Sequence, residues 1–208
     1  MYTGIVYTKI SLVKHNQKAG ITSLFFILPE TISEGLVVGA SVAINGVCLT
    51  VSSLMGSMMS CDIIQETRKK TNLELLSVGD DVHFERSAKV TDEIGGHILS
   101  GHVYGTAKIS SIIENKDSGK EIRFSVPVTW MKYILEKGFI AIDGCSLTVV
   151  SPNTEKGEFS VCFIPHTLEN TLFGTRKVGD LVNVEIDAQT QAIVSTVESF
   201  LLQHKINI

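Results

Sequence analysis

The chain never gathers more than three adjacent basic residues (Arg68, Lys69 and Lys70), and Asp+Glu outnumber Lys+Arg by 22 to 18 over 208 residues. The basic stripe that tracks a phosphate backbone is therefore missing, and nucleic acid is not expected as a partner. No apolar run reaches the ~18 residues that a membrane span needs. The opening MYTGIVYTKI lacks a charged stretch leading into an apolar one, so neither a membrane partner nor a signal peptide is expected, and the location expected is cytoplasmic. Cysteine is sparse: Cys48, Cys61, Cys145 and Cys162, with no C-x-x-C pair among them. That excludes a zinc ribbon and a redox dithiol, and leaves Cys61, Cys145 and Cys162 as reduced core side chains, with Cys48 open. Dinucleotide and P-loop glycine motifs, G-x-S-x-G and H-E-x-x-H are also absent. His97 and His102 stand an odd five residues apart and would face opposite sides of a strand, so they cannot share an ion. We expect no metal.

What is present is an ordered composition, 44% hydrophobic and 19% charged, written twice. Residues 28–51 and 126–149 match without gaps at eight of 24 positions, offset by 98. Residues 64–85 and 164–185 match at eight of 22, offset by 100, including Thr67/Thr167, Thr71/Thr171 and the Val-Gly-Asp triplets at 78–80 and 178–180. The start recurs as well, Gly4-Ile5-Val6-Tyr7 against Gly101-His102-Val103-Tyr104.

Each half reads as short β-branched segments punctuated by Gly, Asn, Asp and Pro, such as SVAINGVCLTV, FIAIDGCSLTV, EFSVCFI and DLVNVEI. That pattern predicts an all-β fold of hairpins, with single helical turns after Pro29 and Pro127. About six strands in so short a length favour a closed barrel, which removes sheet edges. The expected architecture is two tandem six-stranded barrels, residues 1–97 and 98–188, followed by a C-terminal α-helix within 189–208. Ile193, Val197, Phe200, Leu201 and His204 recur along that helix at helical spacing. The stripe either packs on a barrel or joins subunits, and Asp187 is placed to cap the helix.

In VCLTV, Cys48 and Thr50 share one strand face, and in CSLTV Ser146 and Thr148 share the equivalent one. Small polar pairs retained in both copies point to a ligand held over each barrel, against the alternative of a merely solvated edge. The halves differ chemically: Ser146 answers Cys48, Asp143 answers Asn45, Lys137 answers Gly39 and His102 answers Ile5. Because its counterpart is Ile5, His102 is not required by the fold of that motif.

The segments MYTGIV, NGVCLTV, DEIGGHILSGHV, MKYILEKGFIAIDGCSLTV, IPHTLENT and VNVEID resemble the riboflavin synthase family of the α-chain type over essentially the whole chain. The resemblance implies Greek-key barrels, a homotrimer and an association with lumazine synthase. It implies a dismutation of two 6,7-dimethyl-8-ribityllumazine molecules to riboflavin and 5-amino-6-ribitylamino-uracil without metal or cofactor. Non-catalytic lumazine- or flavin-binding antenna proteins share the duplication, and are the alternative.

By the same resemblance, Gly4, Ile5 and Val6 line the first barrel's site with Cys48, Leu49, Thr50, Asp62, Ile63, Ile64, Gln65, Glu66 and Thr67. Gly101, His102 and Val103 line the second with Ser146, Leu147, Thr148, Cys162, Phe163, Ile164, Pro165, His166 and Thr167, and Lys137 reaches in from a neighbouring chain. The lumazine C7-methyl is acidic because its anion delocalises into the ring, so an imidazole such as that of His102 is base enough. Cys48 and Ser146 are candidates to hold or add a nucleophilic hydroxyl, and Thr148 joins Ser146 in the catalytic group. Asp143 and Asp187 are weaker candidates that could instead close the IDG turn and cap the helix. Position 2 is Tyr where the family usually has Phe, and a buried hydroxyl there needs a partner.

Overall fold

A computed structural model describes residues 1–115 and 119–204. Residues 205–208 of the expected C-terminal segment lie outside the described residues. The first repeat folds as β1 (Thr8–Lys18), β2 (Ile21–Ile27), α1 (Glu30–Ser33), β3 (Ser41–Ile44), β4 (Val47–Met55), β5 (Met58–Ile63), α2 (Gln65–Lys70) and β6 (Asp81–Arg86). The second gives β7 (Gly105–Asn115), β8 (Gly119–Ser125), β9 (Phe139–Ile142), β10 (Cys145–Thr148), β11 (Val150–Asn153), β12 (Glu158–Phe163), α3 (Pro165–Asn170) and β13 (Leu181–Ile186). A helix, α4 (Ala188–Gln203), ends the described chain.

Strands β1 to β6 close into an antiparallel barrel in the order β1-β2-β5-β4-β3-β6. The second sheet runs β10-β9-β13-β7-β8-β12-β11, with β10 and β11 together in the place of β4. Within β11 the register against β12 shifts between Val150 and Asn153, where Ser151 has φ 48° and Pro152 cannot donate to a ladder. The bulges are duplicated too: β1 shifts register between Leu12 and Lys14, and β7 between Ile109 and Ser111.

The β3–β4 and β9–β10 hairpins turn on Asn45-Gly46 and Asp143-Gly144, all four residues with φ between 45° and 82°. Two positive φ values in succession mark the type I′ turn, whose twist matches the strands it joins. At Gly46 a Cβ would lie 2.5 Å from Gly144 N. The two hairpin tips therefore touch through glycine alone, on a pseudo-twofold axis between the barrels.

Each barrel has its own core. Leu12, Leu24, Phe26, Met59 and Phe84 fill the first, and Phe124, Phe159, Phe163 and Phe173 the second. Each such side chain contributes roughly 1.5–3 kcal/mol on burial. A third small cluster of Tyr2, Ala43, Leu99 and Ala141 lies between them. The turns expected after Pro29 and Pro127 are α1 and a 3-10 segment, Val128–Tyr133. The short helices α2 and α3 were not expected. Their alternation is too brief to register as helical, and each is tied to the next turn by a threonine: Thr71 and Thr171 donate to the carbonyls of Thr67 and Thr167 at 2.7 and 2.6 Å.

Candidate active site

The segment that opens each repeat crosses to the other barrel. Ser146 N donates to Gly4 O at 2.9 Å, and Cys48 N donates to Gly101 O at 2.9 Å. Val6 packs into the second core and Val103 into the first. The crossings are built alike. The Thr3 amide and hydroxyl donate to the buried Glu85 carboxylate at 2.7 and 2.8 Å, and the Ser100 amide and hydroxyl donate to Glu185, both at 2.7 Å. Burial pushes the Glu85 carboxyl up, and the Thr3 donors pull it back down. In turn, Ile5 N donates to the Thr3 hydroxyl and His102 N to that of Ser100, which sets the direction of each crossing.

This corrects the grouping expected from the sequence. Gly4, Ile5 and Val6 serve the second barrel with Ser146, and Gly101, His102 and Val103 serve the first with Cys48. An aligned repeat fixes which residues correspond, but not whether a segment stays on its own barrel or exchanges. Neither His97 nor His102 lies on a strand; they are separated because the segment passes from one barrel to the other between them.

Over the second barrel lies a pocket of about 290 Å³ walled by Ile5, Gly95, Gly96, Phe139, Ser146, Leu147, Thr148, Val161, Cys162, Phe163, Ile164 and Thr167. That is close to the lower end of ordinary small-molecule sites, ~300 Å³ and upward. Thr148, Cys162 and Ile164 are exposed towards it, so Cys162 is not the core side chain expected, its strand position facing outward from the barrel, whereas Phe163 is a core residue whose edge reaches its floor. Pro165 and His166 begin α3 and are exposed beside it.

One residue behind this wall enters the sequence reading only as a failed metal ligand. His97 Nδ1 lies 2.6 Å from Ser146 Oγ, and His97 N donates to the same oxygen at 3.1 Å. Its ring stacks on Phe139 at 4.9 Å between centroids. Burial pushes this imidazole below its ordinary range, opposed by the charge of Asp187.

On the first barrel Cys48 is half-buried, Thr50 exposed and Leu49 in the core. The Tyr2 hydroxyl, the expected buried donor, finds its partner in Cys48 Sγ at 3.1 Å. Burial first, and this bond second, hold the phenol protonated far above its usual range. Asp62, Ile64, Gln65 and Glu66 are exposed and Thr67 half-buried, the same pattern as Cys162, Ile164, Pro165, His166 and Thr167, while Ile63 is core.

The weaker candidates lie elsewhere. Asp143 is fully buried at the seam. It accepts from Asn72 Nδ2 at 2.9 Å, from Asn183 N at 2.8 Å and from Arg176 at 2.5 Å. Its oxygens are thus committed to joining the barrels, and it does not line the pocket over Ser146. Asp187 caps α4, accepting from Thr190 N at 2.8 Å and the Thr190 hydroxyl at 2.7 Å. Lys137 is exposed and has φ 62° where Gly39 has φ 89°. A side chain in that conformation carries strain of the kind concentrated at functional positions. A larger cleft of about 630 Å³ runs past Asn45, Asn72 and Arg176, of which Asn72 and Arg176 are engaged with Asp143 and Asn183 at the seam.

The lumazine binding domain family matches twice, over residues 3–87 and 100–187. The riboflavin synthase of Escherichia coli (strain K12) is 48% identical over 204 residues, covering 97% of this chain and 93% of that protein. That of Buchnera aphidicola subsp. Schizaphis graminum is 43% identical over 202 residues, covering 97% and 96%. Among solved structures, LumP complexed with 6,7-dimethyl-8-(1'-D-ribityl) lumazine superposes with a TM-score of 0.80 at 25% identity, covering 89% of this chain and 99% of that one. LumP complexed with riboflavin gives a TM-score of 0.81 over the same shares. With both repeats matched and near-full-length relatives of one name, the chain belongs to the riboflavin synthase family of duplicated lumazine-binding-domain proteins.

Proposed function

We propose that the protein is a riboflavin synthase: it binds two 6,7-dimethyl-8-ribityllumazine molecules and moves a four-carbon unit from one to the other, releasing riboflavin and 5-amino-6-ribitylamino-uracil. The observation that carries this reading is the pair of homologous faces with unlike polar groups. Cys48, with Tyr2 bonded to it and His102 beside Gly101, stands on one; Ser146 bonded to His97 stands on the other. A reaction between two copies of one substrate lacks proximity and orientation above all, and two matched cups supply them. Unlike dressing assigns unlike roles, with His102 taking the C7-methyl proton of the lumazine on the first barrel. Thr148 and Thr50 add hydroxyls to the two faces, and Lys137 reaches across to a neighbouring subunit.

The facing cups belong to different subunits of a homotrimer. Support for such an assembly comes from α4. Its residues Ile193, Val197 and Phe200 are each at least half exposed in the isolated chain, and the helix touches the barrels through Lys132–Glu198 and Tyr133–Ser195. Those three members of the stripe thus stay open to another surface, while Leu201 is half-buried. A cytoplasmic location and association with lumazine synthase belong to the same reading.

The test is incubation of the purified protein with 6,7-dimethyl-8-ribityllumazine alone. Two lumazines consumed for each riboflavin formed is the expected result. The likeness to ligand-bound LumP favours one other reading, a binding protein without turnover. Bound, fluorescent and unconsumed lumazine would establish that reading instead.

A further inference from the structure

His97 does not behave like the structural histidine of this molecule. The buried His83 has both ring nitrogens occupied: Nδ1 donates to Asp143 O at 2.9 Å and Nε2 accepts from Leu172 N at 2.7 Å. His97 is 8% exposed, and its Nε2 is buried with no hydrogen-bond partner among the described residues. An orphaned buried polar atom is destabilising, and a ring kept only for packing would not need to carry one. What the ring does hold is Ser146. The His97 N–H occupies one lone pair of Ser146 Oγ. The remaining hydroxyl proton and the 2.6 Å line to Nδ1 then form a path along which a single proton can shift. Ser146 walls the pocket, and so do Phe139, on which the ring is stacked, and Gly95 and Gly96 just before it. A Cβ at Gly96 would meet Ser146 Oγ at 2.7 Å, so the backbone here is also shaped around that hydroxyl.

We propose that His97 works through Ser146 as the proton acceptor of the second barrel. When Ser146 Oγ takes a proton from the lumazine bound there, its own hydroxyl proton passes to His97 Nδ1. The substrate becomes an anion and the imidazole a cation, so charge is conserved without any co-reactant. Both protons return along the same line. This rests on the riboflavin synthase reading and adds a base that the sequence did not offer, so that each barrel has its own imidazole: His102 on the first, His97 on the second. The low proton affinity that burial gives His97 keeps the ring neutral and able to accept before substrate binds. In this scheme Ser146 touches the ligand and His97 is the positioning residue behind it.

The experiment compares wild type with His97→Ala, His97→Asn, Ser146→Ala and the Ser146→Ala/His97→Ala double variant. Readouts are kcat and KM, lumazine binding by fluorescence, thermal midpoint, and exchange of the lumazine C7-methyl protons in deuterated water by NMR. The exchange readout needs proton removal alone and so does not depend on riboflavin being formed. His97→Ala is expected to lower kcat by about a hundredfold, the lower end of general-base effects, and to remove the share of methyl exchange that persists in a His102→Ala background, where the first barrel is silent, with KM and binding little changed. The double variant should be no slower than Ser146→Ala, since His97 acts only through that hydroxyl. His97→Asn can still bond to Ser146 but cannot take its proton, and should stay slow while keeping the wild-type thermal midpoint. Normal turnover in His97→Asn, a loss confined to KM, or additive losses in the double variant would overturn the inference while leaving the riboflavin synthase reading intact. Wild-type protein that neither forms riboflavin nor exchanges the methyl protons would overturn both.

Discussion

The two barrels share a scaffold down to their bulges and turns, yet they present different chemistry to a ligand. In the first, a thiol is bonded to a phenol; in the second, a hydroxyl is bonded to an imidazole. Over the first lies the segment bearing His102, and over the second the segment bearing Ile5. The crossings themselves are matched bond for bond, through Thr3 and Glu85 on one side and Ser100 and Glu185 on the other. In the proposed reaction, what is common positions the ligand and what differs acts on it. A duplicated enzyme gains two aligned sites from the first property and a division of labour from the second.

The most severe way to break the pairing is to uncouple one crossing. Gly101 has φ 80°, and a Cβ there would lie 2.6 Å from that of Cys48; Gly4 has φ 74°, with a Cβ 2.6 Å from that of Ser146. Gly101→Ala should lift its segment off the first barrel and Gly4→Ala off the second. The left-handed backbone costs a side chain about 1–2 kcal/mol, and overpacking adds about 1–3 kcal/mol. Each variant should lose about a hundredfold or more in turnover, since ångström-scale misplacement suffices for that. Each should lose a different half of the lumazine binding capacity in a fluorescence titration. Equal loss of both halves from either variant would show that the crossings do not serve separate sites.

These crossings also mark where sequence reading ran out. The repeat and the hairpins were legible because Asn45-Gly46 and Asp143-Gly144 demand a type I′ turn, and because β-branched alternation permits few alternatives. The facing of Cys48 with Thr50, and of Ser146 with Thr148, followed from strand period alone, and the burial pattern agrees. The exchange was hidden because it leaves the alignment of the halves unchanged. His97 stands outside the aligned blocks of the two halves, so their comparison sets nothing against it. Asp143 was drawn to the site by its charge, but the buried asparagines that claim it are 40 and 71 residues away along the chain.

The seam offers a gentler asymmetry. His83 on β6 corresponds to Asn183 on β13, and only the histidine titrates. Its neighbours are Asp143, Arg176 and Lys9, and burial outweighs them in pushing its pKa below the ordinary 6.5. Above 6.5 the ring is neutral folded and unfolded, and stability is full. Below it the unfolded chain binds a proton that the folded one refuses. Stability should therefore fall as pH drops from 6.5, by up to about 1.4 kcal/mol per unit, and level off beneath the lowered folded value. His83→Asn makes the seam more symmetric. It should cost about 1–3 kcal/mol at pH 8, because Leu172 N loses its acceptor, and should flatten the decline below pH 6.5 in denaturant titrations. An unchanged pH slope in that variant would assign the decline to other groups.

The smallest expected effect falls on the bond that sets the first barrel apart. Tyr2 is 1% exposed and its hydroxyl donates to Cys48 Sγ. Sulfur is a weak acceptor, so Tyr2→Phe should change stability by no more than about 1 kcal/mol. The aromatic body that fills the cluster with Ala43, Leu99 and Ala141 would be kept. If Cys48 meets the ligand through its own S–H, the phenol only occupies a sulfur lone pair, and turnover should be unchanged or rise as the thiol is freed. If instead turnover drops clearly in Tyr2→Phe while lumazine binding holds, the hydroxyl orients Cys48 during the reaction. The first barrel would then carry a donor pair answering the acceptor pair of Ser146 and His97, and the unlike halves would be complementary in proton traffic as well as in shape.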